Sequence, residues 1–254
     1  MTDPDATALR VLRLLDLTDL SDSPDAAAIE GLCNRAQSPF GQVAAVCIWP
    51  EFVAHAKAHL LEADVRVATV ANFPDGDHDP TEVFATIETA LADGADEIDL
   101  VMPWRALLAG DTGTASGLIA ECRSRIPDGR VLKVILETGE LRTEDNIRTA
   151  SVLALEAGAD FIKTSTGKVA VNATPEAARI MIAAIRDHGG HAGFKAAGGI
   201  RTVSDAAEYL AIADEIMGPG WAAPGTFRFG ASGLLDDVLA ALGAGDAGAP
   251  TTGY

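Results

Sequence analysis

The stretch FIKTSTGKV, residues 161–169, sets Lys163 behind an aromatic-apolar pair and Lys168 behind a glycine, in a chain with only five lysines against fourteen arginines. Asp99, Lys133, Lys163 and Lys195 follow one another at intervals of 34, 30 and 32 residues, each inside a short apolar run that reads as a strand. An ionisable group in such a run is costly unless it is paired, solvated at a rim or functional. One lysine near a strand end is ordinarily a rim charge; four groups in phase point to a site. Arginine would serve a rim equally well, but it cannot become a neutral nucleophile at ordinary pH, whereas lysine can. Crowded cations and burial both disfavour the protonated amine, leaving a neutral one to attack a carbonyl. The chemistry predicted is a Schiff base, whose iminium acts as an electron sink for the neighbouring C–C bond. Asp99 would neutralise the remaining charge or move protons through a bound water.

Glycine-rich segments follow the same strands: Ser165 to Lys168, which includes Thr166 and Gly167, then Ala197 to Ile200 with Gly198 and Gly199, and Gly230 to Gly233 with Ser232. Each alone reads as a turn. Placed together after late strands, their backbone N–H groups suit a phosphate.

The elements that must carry these residues alternate β-branched runs with alanine-rich segments of helical spacing, the pattern of repeated βα units. Strands are expected at 43–49, 65–72, 96–102, 130–137, 159–164, 193–196, 213–218 and 226–232. Between them, Pro80 and Pro175 sit at first helical positions, with Gly94 and Gly189 closing those helices and Thr174 as an N-cap. GADEID at 94–99 returns as GADFIK at 158–163, two units later. No GxGxxG follows the first strand, so a dinucleotide fold lacks its marker. The expected architecture is α/β, a single (β/α)8 TIM barrel over residues 1–242 with an extra N-terminal helix covering its bottom. Residues 243–254 read as a flexible tail ending in Tyr254, whose hydroxyl could relay protons if the tail folded back.

At 254 residues the chain suits one α/β barrel, and 48% hydrophobic with 22% charged residues excludes a mainly disordered protein. A formal net charge of −18 opposes nucleic acid and anionic membranes as partners. Three cysteines without CxxC spacing, no basic leader and no long apolar run lead us to expect a cytoplasmic protein with free thiols. No metal or other cofactor is expected. His55 and His59 have i,i+4 spacing, but HAKAH lacks the glutamate of a zincin and reads as a solvated helix face. Asp75 to Asp79 imitates a calcium loop for five residues only, because Pro80 takes the glycine position and Thr86 the glutamate position.

ADFIKTSTGKVAVNATPE, LKVILETGEL, GADEIDLV, GFKAAGGIR and TFRFGAS together resemble deoxyribose-phosphate aldolases of the bacterial type, over nearly the whole chain from LRLLDLTDL onward. That resemblance implies a cofactor-free class I aldolase of deoxyribonucleotide catabolism. It would cleave 2-deoxy-D-ribose 5-phosphate reversibly to D-glyceraldehyde 3-phosphate and acetaldehyde. It further implies Lys163 as the Schiff-base lysine, Lys195 as the lysine that perturbs it, Asp99 as acid/base, Lys133 in support and Tyr254 in a proton shuttle. Asp16, Thr18 and Cys47 align with pocket positions, and Thr166, Gly167, Lys168, Gly198, Gly199, Gly230 and Ser232 with the phosphate site. Partners implied are the small phosphosugar and aldehyde substrates and a second copy in a homodimer. Two positions depart from the family pattern: Ala196-Ala197 replaces a proline-alanine pair, and Gly233 replaces a second serine. Another lysine-dependent phosphosugar aldolase and a non-catalytic phosphosugar-binding protein remain alternatives; a class II aldolase would need metal ligands clustered at the site.

Overall fold

Alternation of side chains along each strand decides what this molecule can enclose. In the computed structural model, which describes residues 4–243, eight parallel strands close into a barrel. They are β1 (Leu15–Asp19), β2 (Ala45–Ile48), β3 (Arg66–Ala71), β4 (Glu97–Val101), β5 (Val131–Ile135), β6 (Phe161–Lys163), β7 (Gly193–Ala197) and β8 (Phe227–Ala231). Each pairs with its sequence neighbours, and β8 closes on β1. Leu15, Leu17, Ile98, Leu100, Leu132, Val134, Ile162, Phe194, Phe227 and Phe229 point outward into the main core shared with the helices. The alternate positions, Asp16, Glu97, Asp99, Lys133, Lys163, Lys195 and Arg228, are therefore turned into the barrel, where all are buried.

Eleven α-helices and one short 3-10 helix (Pro50–Phe52) occur among the described residues. Those used below are α1 (Pro4–Arg13), α2 (Ala26–Arg35), α3 (Val53–His59), α4 (Pro80–Ala92), α5 (Trp104–Leu108), α6 (Thr112–Arg125), α7 (Thr138–Leu141), α8 (Glu144–Glu156), α9 (Pro175–Asp187), α10 (Val203–Met217) and α11 (Leu234–Ala241). Asp79 caps α4 and Thr174 caps α9 through their side chains, with Pro80 and Pro175 at the first helical positions as expected. Helix α1 runs straight into the N-terminal end of β1 and packs on α10 and α11, anchored by the Arg10–Asp214 ion pair at 2.7 Å.

Eight strands were expected, but one is a different segment. Residues 213–218 are not a strand; they finish α10, whose buried Ala206, Tyr209, Leu210 and Ala213 follow helical spacing and whose end is capped by Gly218 at φ 93°. The eighth strand is β1, in a segment where sequence suggested only the N-terminal helix. Its leucines are not β-branched, and five residues offer too short a run to separate strand from helix by period.

Candidate active site

Register puts Asp99 beside Lys133 and Lys163 beside Lys195 on adjacent strands. Their side chains converge on Asp99. Lys133 donates to its Oδ1 at 2.7 Å, while Lys163 and Lys195 both donate to Oδ2 at 2.8 Å. Lys195 also reaches Asp16 at 2.5 Å, and Lys133 reaches Glu97 at 2.5 Å. Arg228 ties the floor together, bonding Asp16 Oδ1 at 2.6 Å and Glu97 Oε1 at 2.8 Å.

This network holds four cationic side chains and three carboxylates in full burial, a composition that balances when one amine is neutral. The surroundings select which one. Burial opposes charge on all three lysines; for Lys195 the carboxylates of Asp16 and Asp99 outweigh it, and for Lys133 those of Asp99 and Glu97 do, so both are held above the ordinary lysine value. Lys163 has only Asp99, which it shares, and Lys195 stands against it. Its pKa is pushed down, chiefly by burial. Asp16 and Asp99 are held well below the usual carboxylate range despite burial, by Lys195 with Arg228 and by Lys133 with Lys163 respectively.

Lys163 opens into a cavity of about 580 Å3 whose wall includes Thr18, Thr166, Gly167, Lys168, Gly198, Gly199, Gly230 and Ser232. That volume lies within the ~300–1,000 Å3 usual for small-molecule sites. Gly230 has a specific reason to lack a side chain, since a Cβ there would stand 2.9 Å from Lys195 Cε. Gly233 also lines the wall, ahead of α11, and a Cβ there would meet nothing within 4 Å. Asp16, Cys47, Asp99, Lys133 and Lys195 do not line the cavity. They lie beneath it, Cys47 with its Sγ 4.0 Å from Asp99 Oδ2 and its thiol pushed up by burial. The implied pocket position of Thr18 thus reaches the wall, whereas those of Asp16 and Cys47 are in the floor, because inward strand residues stack in layers and only the uppermost meets solvent. Tyr254 and the tail from residue 244 lie outside the described residues.

Several residues at this site were not singled out from sequence. Glu97 and Arg228 belong to the network, and the signal was available: a charge between two phenylalanines in FRF, and an acidic pair at period two in EID. Glu137, just after β5, is buried with φ at 59°, a left-handed conformation that costs a non-glycine residue about 1 kcal/mol or more. Its carboxylate accepts from Thr166 N at 3.2 Å and from Thr166 Oγ1 at 2.6 Å, and Thr166 Oγ1 in turn accepts from Lys168 N at 3.0 Å. Burial pushes the Glu137 carboxyl up. Asn172 lines the cavity, with its Oδ1 buried and without a hydrogen bond among the described residues. Arg201 joins Lys168 as a second cation on the wall.

The chain matches the DeoC/LacD family of aldolases over residues 10–238. It belongs to that family. A deoxyribose-phosphate aldolase of Agrobacterium fabrum (strain C58) is 56% identical over 227 residues, 89% of this chain and 88% of the relative. An apo-form structure from Toxoplasma gondii ME49, provisionally described as a deoxyribose-phosphate aldolase, superposes with a TM-score of 0.86 at 28% identity, covering 96% of this chain and 98% of that one. The tetrameric deoxyribose phosphate aldolase of Aeropyrum pernix shares the barrel at a TM-score of 0.75 and 23% identity, over 96% of this chain and 94% of that one.

Proposed function

We propose that this DeoC/LacD-family aldolase cleaves 2-deoxy-D-ribose 5-phosphate reversibly, through a Schiff base on Lys163. The observation that carries this reading is that Lys163 is the one lysine of the buried trio held below its ordinary pKa, and it alone of the three lines the cavity.

In the cleavage direction the neutral Lys163 amine adds to the C1 aldehyde of the open-chain sugar and water leaves, giving an iminium. Loss of the C3 hydroxyl proton then drives the C2–C3 electron pair into the iminium, releasing glyceraldehyde 3-phosphate and an enamine. Protonation of the enamine at C2 and hydrolysis return acetaldehyde and the free amine. Asp99 and the protonated Lys195, 2.8 Å apart, serve as the proton store, exchanging with the reacting centre through water. Lys133 supports them from below. Tyr254 is assigned to the proton step at C2 on the family resemblance, and Tyr254→Phe should lower kcat more than substrate binding.

Phosphate is assigned to the mouth, where Gly167, Gly198, Gly199, Gly230 and Ser232 and the cation of Lys168 line one volume. The enzyme so described needs no cofactor, because the lysine itself supplies the electron sink. A homodimer is proposed from the resemblance, with sedimentation velocity as its check. We place the protein in the cytoplasm on its three free buried cysteines; no described helix is long and apolar enough to cross a membrane.

Borohydride reduction with acetaldehyde, followed by peptide mass analysis, tests the reading. A two-carbon adduct on Lys163 that disappears in Lys163→Ala is the expected result. An adduct on Lys195 alone, or none, would overturn it.

A further inference from the structure

On the outer helix wall, α3 and α2 pack together, and they place three ligand-type atoms in one small space. His55 and His59 stand one turn apart on α3, their ring centroids 4.7 Å apart. Glu30 comes from α2, and its Oε1 lies 3.3 Å from His55 Nε2 and 3.6 Å from His59 Nε2. Ligands of a tetrahedral zinc ion at ~2.0–2.2 Å stand roughly 3.3–3.6 Å from one another. Both measured edges fall at that spacing, and all three atoms lie within 4.8 Å of one another.

Two further observations concern the nitrogens themselves. His59 Nδ1 faces the His55 carbonyl oxygen at 3.1 Å, so donation there puts the ring proton on Nδ1 and leaves the Nε2 lone pair directed at Glu30. His55 Nε2 is shielded from solvent and makes no hydrogen bond among the described residues, in spite of its nearness to Glu30. A simple imidazolium–carboxylate pair would satisfy that nitrogen. A metal ion between the three atoms would satisfy all of them at once. The nearby cation of α3 is engaged elsewhere, Lys57 bonding Asp96 at 2.9 Å.

We propose that Glu30, His55 and His59 form a binding site for a borderline divalent transition metal, zinc by ligand type, with water completing the coordination. The ion would clip α2 to α3, the two helices that flank β2 in sequence, and would take no part at Lys163. The HAKAH motif alone does not reveal the site, because the carboxylate ligand lies 25 residues before His55 rather than inside the motif.

The test is zinc titration of the chelator-treated full chain by calorimetry, with cobalt(II) absorption as a reporter of coordination. One equivalent per chain, a tetrahedral cobalt spectrum and a Tm that climbs with zinc concentration are expected. His59→Ala and Glu30→Gln, both on partly exposed helical faces, should each weaken zinc binding by at least about tenfold. Imine trapping on Lys163 should be unchanged by metal, chelator or either substitution. No zinc uptake, or uptake that both variants retain, would overturn the site.

Discussion

Lys133, Lys163 and Lys195 are one residue type in three electrostatic settings, and the setting is the basis of the roles proposed for them. Two carboxylates hold Lys195 charged; Lys163 shares a single one with two rivals. The neutral amine is required for attack, so kcat/KM should fall as pH drops through the depressed Lys163 value and level off above it. Removing the neighbouring cation in Lys195→Met relieves part of the pressure on Lys163. The acid limb of the pH–rate profile should then move to higher pH, alongside a loss of roughly 10²- to 10⁴-fold in rate from the missing proton carrier. An unmoved limb would mean that Lys163 does not set it. Asp99 and the three lysines were legible in the sequence because their strand-to-strand phase betrayed a common level. Glu97 and Arg228 were less plain: EID and FRF carry a signal, but a charge in a strand looks the same whether it ends in water or in a buried pair.

Loops after strands, rather than strands themselves, shape the mouth. Glu137 pins the segment after β6 to the end of β5 by two hydrogen bonds to Thr166. Replacing it in Glu137→Ala removes bonds worth about 1–3 kcal/mol together, and a looser segment should raise KM for the phosphorylated sugar several-fold while trapping on Lys163 persists. Helix α11 contributes differently. With Gly233 at φ −93° and open space where a Cβ would project, Gly233→Ser should be accommodated and add a hydroxyl beside Ser232. KM for 2-deoxyribose 5-phosphate should fall and that for unphosphorylated deoxyribose should not; equal effects on both would detach this position from phosphate. Helix caps such as Thr174-Pro175 were readable from local chemistry alone. The exchange of 213–218 for 15–19 as the eighth strand was not, because only closure of β1 against β8 and β2 reveals which short segment completes the ring.

A closed barrel carrying this many ions in its interior has a stability that depends on pH at both ends. Asp16 and Asp99 titrate below the ordinary carboxylate value, so the unfolded chain takes up their protons first. Their contribution is complete above the ordinary value and is lost as pH falls through the depressed ones. Urea midpoints should therefore hold steady from about pH 7 to about pH 5 and fall progressively below about pH 4. Lys133 and Lys195, held high, contribute through neutral pH and lose that contribution only as alkaline pH passes their raised values; Lys163 carries the opposite sign, its cost growing as pH falls from the ordinary lysine value to its own. Lys57 and Lys168 are paired with Asp96 and Asp22, two more amines are locked as ammonium ions in the barrel, and fourteen arginines supply the remaining positive charge. A guanidinium does not condense with simple aldehydes, and an ordinary lysine exposes only about one neutral amine in a few thousand near pH 7. Bathed in a reactive aldehyde, the protein offers few places for random adducts to accumulate, so the scarcity of lysine works as chemical armour around the one amine proposed to react.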